Sequence, residues 1–238
     1  MERLKLGSAE ASPDRPLIAV PLMATDEAHL QAQLPQFNAA QADVVEWRID
    51  YWDDLHQLKH QLQTLLQRFE KPVILTYRSQ AEGGIGTQVA WVYQTLYPLA
   101  IQSGVAALDV EARFDDYAPK LIALVQKRDT QVILSKHLWR ITDKDFATEL
   151  VTLAQSEADI LKLAIQPRQA EDVVALLTAT QSVSQTVTQP LITMAMGQIG
   201  QMSRRVGYRY GSQLTFASLT DESAPGQLAL DDLWASFH

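Results

Sequence analysis

Ala158-Asp159-Ile160-Leu161-Lys162-Leu163-Ala164-Ile165 is a short apolar run with one lysine at its centre. Such a run reads as a strand buried on both faces, the kind a parallel sheet contains. A lysine there is costly, because burial disfavours the ammonium. An amine held neutral near physiological pH attacks carbonyls and gives Schiff bases. The plain alternative is a strand-end lysine whose ammonium reaches water or pairs with a carboxylate. Ile160 and Ala164 share the face of Lys162 by the two-residue period, so its inward environment within the strand is expected to be apolar, which favours a neutral amine.

Similar runs lie on both sides of it. Upstream are Leu17–Met23, Asp43–Asp50, Pro72–Arg78, Val105–Glu111 and Gln131–His137; downstream are Pro190–Met196 and Gln213–Leu219. Helical patterns fill the gaps. Thr25 or Asp26 offers an N-cap to a helix through Leu30, Leu34 and Phe37, and a second helix runs through Leu55, Leu58, Leu62, Leu65 and Leu66. Others are expected over 87–103, 115–128, 143–156 (capped by Thr142 or Asp143), 200–206 and 228–237. Pro167 sits where the helix after the sixth strand should begin. Eight strand–helix pairs at roughly 30-residue spacing predict an α/β fold, a (β/α)8 TIM barrel. A doubly wound sheet would carry a Gly-rich turn after its first strand, and none is there. One barrel domain is expected over residues 1–238, with 1–15 a polar leader.

Composition bounds the function. The 238 residues are 47% hydrophobic, enough for a large core, and the ten glycines and ten prolines are scattered rather than clustered into linkers. A net charge of −8 disfavours nucleic acid or an anionic membrane as the main partner. Without cysteine there is no disulfide and no thiolate chemistry. No signal-peptide core follows Met1, and no apolar run approaches the roughly 20 residues of a membrane span. A soluble cytoplasmic protein is expected. Apolar positions on the outer helices favour a homodimer.

In such a barrel the active site lies at the C-terminal ends of the strands. The second strand ends with Glu46, Arg48 and Asp50 on one face, the third at Arg78, and the fourth carries Asp109 and Glu111. The fifth ends at His137, the sixth carries Lys162, and the seventh ends at Met194 and Met196. Chance surface charges would scatter over strand starts and helices as well. His29, His56 and His60 fall in helix patterns and His238 is the last residue, so all four are expected to be solvated. His137 ends a buried strand beside the lysine's and suits general acid–base work near neutrality; a satisfied loop-entrance histidine is the competing reading. One histidine with dispersed carboxylates gives no compact metal-ligand spacing. Glu46, Arg48, Arg78, Arg204 and Arg205 point to an anionic, polyhydroxylated small molecule. An inward ion-pair ring, Glu46 or Asp109 with Arg48 or Arg78, is compatible with the same residues. Ser223-Ala224-Pro225-Gly226-Gln227 reads either as a plain surface loop or as a segment that closes over substrate.

Taken together, the pieces resemble the type I 3-dehydroquinate dehydratase family. They are Glu46-Trp47-Arg48-Ile49-Asp50, Arg78 with Glu82-Gly83-Gly84, Ser135-Lys136-His137, Asp159-Ile160-Leu161-Lys162, Met194-Ala195-Met196-Gly197, Ser203-Arg204, and Ser223 to Gln227. They run in the family's order over nearly the whole chain. The resemblance implies dehydration of 3-dehydroquinate to 3-dehydroshikimate, in the shikimate pathway of aromatic amino-acid biosynthesis, with no metal and no diffusible cofactor. It makes Lys162 the Schiff-base residue, His137 the general acid and base, and Glu82 the glutamate that supports it. Arg204 would clamp the substrate carboxylate, and Glu46, Arg48 and Arg78 its hydroxyls. Met194 and Met196 would line the site, and Ser223 and Gln227 would belong to the closing loop. Two stretches depart from the pattern: Leu138-Trp139-Arg140-Ile141-Thr142, where the family usually has Asp-Phe and later Thr-Pro, and Pro21, where some members have a substrate-binding serine. A Schiff-base barrel lyase of the class I aldolase type and a non-catalytic barrel binding module are the alternatives.

Overall fold

In the computed structural model, which describes residues 1–126 and 128–237, the quoted stretch is a strand, Ile160–Ile165, with all six side chains buried. His238, expected to be solvated, lies outside the described residues. The chain opens with a hairpin, β1 (Lys5–Leu6) and β2 (Ala9–Glu10), followed by β3 (Leu17–Leu22), α1 (Glu27–Ala39), β4 (Val44–Arg48) and α2 (Leu55–Leu66). Next come β5 (Val73–Thr76), α3 (Val89–Gln102), β6 (Ala107–Glu111), α4 (Ala118–Val125), β7 (Gln131–Leu138) and α5 (Phe146–Ala154). The lysine strand is β8, and α6 (Ala170–Ser184), β9 (Leu191–Ala195), α7 (Gly197–Val206), β10 (Leu214–Ser218), β11 (Leu228–Ala229) and α8 (Leu230–Ala235) complete the order.

Strands β3 to β9 pair in parallel, each with its sequence neighbour, and β10 pairs in parallel with β3. The sheet curls until β9 meets β10, where one parallel bridge, Leu191 to Ser212, joins the ends. This is the expected barrel, with β11 added in parallel outside β10.

The two-residue period sorts every strand between two cores. From β8, Ile160 and Ala164 point into the barrel beside Ile133, Ile192, Leu214 and Phe216, while Leu161, Leu163 and Ile165 pack outward under the helices. Helix starts follow side-chain caps: Asp26 accepts from the His29 amide, and Asp145, rather than Thr142 or Asp143, accepts from the Thr148 amide. The helix after β8 starts at Ala170, three residues beyond Pro167, where Gln169 and Asp172 form a capping box. Residues 1–15, read as a polar leader, hold the hairpin. Leu4 and Leu6 are fully buried in the inner core and close the barrel at its lower end, beneath Ile74 and Ala106.

Candidate active site

Register brings the polar residues together. Asp109 of β6 and Lys162 of β8 stand two strands apart with Ser135 of β7 between them. Serine is small enough for the two long side chains to meet above it. Lys162 Nζ donates to Asp109 Oδ2 at 2.8 Å, lies 3.7 Å from Glu46 Oε1, and sits 4.7 Å from the centre of the Phe216 ring. Ile160 and Ala164 make the strand's own inner face apolar, as expected, and the amine above them pairs with a carboxylate, the plain alternative to a neutral amine. Neighbouring strands, invisible to the period of β8 alone, supply carboxylates.

Asp109 is saturated with donors. Its Oδ1 accepts from Ser135 Oγ at 2.6 Å and lies 2.7 Å from an Arg78 nitrogen. Burial alone would raise its pKa, but Arg78 and Lys162 outweigh that and hold the carboxyl far below the usual range. The other Arg78 nitrogen meets Glu111 Oε1 at 3.1 Å, Ser135 Oγ at 3.0 Å and Glu82 Oε2 at 3.5 Å. Arg78 thus lines the cavity while bridging carboxylates, the inward ion-pair arrangement. Hydroxyls from α3 brace the strand ends below: Tyr97 donates to the Asp109 carbonyl and accepts from the Tyr77 amide, and Tyr93 accepts from the Glu111 amide. Sequence reading missed these tyrosines, because two aromatics at i and i+4 look like ordinary core.

His137, at the end of β7, is hydrogen-bonded through Nδ1 to Glu82 Oε2 at 2.8 Å. Glu82 reaches it because the loop after β5 folds back on itself: the Gly84 amide donates to the Ser79 carbonyl, and the Gly86 amide to that of Arg78. A Cβ on Gly84 would stand 2.2 Å from the Arg78 carbonyl oxygen, so the fold-back needs glycine there. Burial pushes the Glu82 carboxyl up to about 8, overriding Arg78. Burial, with Arg78 and Lys162, pushes the imidazole well below 6.5. Both shifts oppose a separated ion pair, so the couple is read as a net-neutral unit holding one proton near neutrality.

Arg204 arrives differently. Helix α7 leaves β9 directly and presses into the barrel wall, where a Cβ on Gly200 would lie 2.3 Å from the backbone of Ala195. Ser203 Oγ accepts from the Ala195 amide and Ser212 Oγ from the Thr193 amide, replacing ladder partners at the seam between β9 and β10. Through that seam Arg204 enters the cavity. It is 2% exposed, Nη1 donates to the Phe216 carbonyl, and Nε and Nη2 have no hydrogen-bond partner. Burial, opposed by Glu222, lowers the guanidinium to about 10. Arg205, grouped with it in sequence, turns outward instead and donates to the Asp232 carbonyl. Adjacent residues on a helix face different ways.

Arg48 Nε and Nη2 are forked by Asp50 at 2.8 Å each, with Asp50 in a 3-10 turn rather than in the strand. Met194, Met196, Ala164, Phe216 and Trp139 give the cavity its apolar walls. Pro21 packs in β3 beside Glu46 in register. The loop before β11 covers one side. Gln227 accepts from the Ser223 amide and donates to Ser223 Oγ, while the Gly197 amide donates to the Pro225 carbonyl. Lys162, His137, Glu82, Glu46, Arg48, Arg78, Arg204, Met194, Met196, Ser223 and Gln227 all line this one cavity.

A β/α barrel whose rim gathers a buried lysine, a hydrogen-bonded histidine–glutamate couple and a buried guanidinium belongs to the class of barrel enzymes that act on small anionic molecules. The family model of type I 3-dehydroquinase matches residues 18–237, and the chain belongs to that family. It is 38% identical to the 3-dehydroquinate dehydratase of Lactiplantibacillus plantarum, over 97% of this chain and 94% of the relative. To that of Shouchella clausii it is 36% identical, over 94% and 91%. Among solved structures it is similar to type I 3-dehydroquinate dehydratase from Clostridium difficile with covalently modified comenic acid. That likeness has a TM-score of 0.90 at 27% identity, over 99% of this chain and 96% of the other.

Proposed function

We propose that this chain, working as one barrel domain, dehydrates 3-dehydroquinate to 3-dehydroshikimate through a Schiff base on Lys162. The observation that carries the reading is the meeting of three groups in one cavity: the Lys162 amine, the His137–Glu82 couple and the Arg204 guanidinium, whose Nε and Nη2 have no hydrogen-bond partner. Arg204 forks the substrate carboxylate, satisfying its own orphaned donors. Glu46 and Arg48 take the ring hydroxyls. Arg78 contributes by holding the carboxylates around the reacting centre. Met194 and Met196 pack on the ring, and Ser223 and Gln227 cover it. No metal or diffusible cofactor is needed for the steps that follow.

The amine adds to the ring ketone, and water leaves to form an iminium. Electron withdrawal by the iminium makes the adjacent C–H acidic. His137 removes that proton, the electron pair moving into an enamine. The same imidazole returns a proton to the β-hydroxyl, which departs as water while the new double bond forms. Hydrolysis of the conjugated iminium frees the amine and the enone. We further propose that the enzyme works in the cytoplasm as a homodimer; exposed Val151, Val174, Ile199 and Met202 on the outer helices support self-association. Among the described residues no helix is long and apolar enough to cross a membrane.

Reductive trapping tests the reading. Incubation with 3-dehydroquinate and borohydride should add the substrate-derived mass at Lys162, and without borohydride an enone absorbing in the ultraviolet should accumulate. An adduct on another lysine, or none, refutes it.

A further inference from the structure

We infer that Asp109 is a positioning residue for the Schiff base, the fixed counter-ion that Lys162 keeps from free amine to adduct. The inference rests on the Schiff-base reading above. Condensation of an ammonium with a ketone gives an iminium and water; two of the ammonium hydrogens leave with the carbonyl oxygen, and one unit of positive charge stays on the nitrogen. A carboxylate that partners the ammonium therefore partners the iminium equally well.

Geometry supports continuity of that contact. Lys162 Nζ donates to Asp109 Oδ2 at 2.8 Å, and the one hydrogen left on the iminium nitrogen can make the same bond. The carbon–nitrogen bond then forms on the side of Nζ away from Asp109, towards the cavity that His137 and Arg204 share. Asp109 cannot drift to follow the substrate. Ser135 Oγ and Arg78 hold its other oxygen at 2.6 Å and 2.7 Å, and its side chain is fully buried.

Arg78 also moderates the charge. A bare carboxylate beside the iminium would stabilise the cation against the neutral enamine that deprotonation produces. Sharing Asp109 with Arg78 weakens that brake while keeping the position. The charged groups facing the pair are Glu46 and Arg48 from β4, Arg78 and Glu82 from beyond β5, His137 from β7 and Arg204 from α7; Met194 and Phe216 face it from β9 and β10. Glu46, 3.7 Å from the amine, is the only other carboxylate in ion-pair range of Lys162 among the described residues.

The test compares the full-length protein with Asp109→Asn, using 3-dehydroquinate as the probe. Borohydride trapping should slow by about 10–100-fold, the scale typical of groups that orient a reacting ligand. The pH dependence of trapping should move to lower pH, since the amine has lost a neighbouring negative charge; a purely architectural role would lower the rate without moving the profile. An unchanged rate and profile overturns the inference. If the variant does not fold, the reduced adduct of the unaltered protein decides. A crystal structure should place Nζ within about 3 Å of Asp109 Oδ2, and a separation beyond about 4 Å overturns the counter-ion role. If the unaltered protein yields no adduct at Lys162, the Schiff-base reading itself has failed; if it does and Asp109 proves indifferent, only this inference has.

Discussion

Arg204 and Glu82 are both held away from water, and burial acts on them in opposite senses. The guanidinium falls to about 10 and the carboxyl rises to about 8. An unpaired buried cation costs stability, so replacing Arg204 by methionine should raise the unfolding free energy by about 1–3 kcal/mol. The same change should lower kcat/KM by about 10²-fold by removing the carboxylate clamp. Denaturant melts and steady-state kinetics on Arg204→Met would read both, and a variant that is less stable and fully active contradicts the assignment. For Glu82 the sign runs from its folded value of about 8 against an ordinary 4.5. Its contribution to stability is complete below 4.5 and is lost as pH rises to about 8. Activity moves the other way, because losing that proton frees the couple to act as a base. Glu82→Gln should flatten the pH dependence of stability in this window and shift the acid limb of kcat/KM to lower pH. The imidazole left alone is held well below 6.5.

Elements differ in how openly the sequence announced them. The period of two named the inward residues of each strand, and β8 carries Lys162 on the inner face as that period requires. It could not report which group of another strand would meet the amine, and the contact of Lys162 with Asp109 across Ser135 is visible only in the structure. The loop after β5 was legible only as glycines at 83, 84 and 86; its fold-back depends on a backbone approach that no periodicity encodes. Gly84→Ala should displace Glu82 from His137 and cost up to about 10²-fold in kcat, with little change in melting temperature. Normal turnover in that variant would show the fold-back to be dispensable. Arg205 illustrates a further limit. Adjacent arginines carry equal weight in a list of residues, but a helix places them about 100° apart and only one meets the cavity.

At the level of the whole barrel, eight strand–helix repeats set the architecture, and their order set which strand ends share a rim. The hairpin escaped notice because its strands are two residues each and its large apolar side chains are only Leu4 and Leu6, set among charges. Its role is to seal the inner core from below. Leu6→Ala should therefore cost about 2–5 kcal/mol, and kcat per folded molecule should stay constant because the site lies at the opposite end. Chemical denaturation alongside active-site titration would separate the two effects, and an unchanged midpoint would show that the hairpin does not bear on stability.

The seam between β9 and β10 has a bearing on solubility. A barrel ordinarily escapes the hazard of strand edges by having none. Here one edge persists inside the wall, that of β9, whose Thr193 and Ala195 amides are satisfied by the hydroxyls of Ser212 and Ser203 and which α7 covers, while β10 pairs with β11 on that side. Admitting an arginine through the wall thus leaves a latent template for pairing with another chain. Any change that loosens α7 uncovers it, and self-association through β9 is the failure such a change invites.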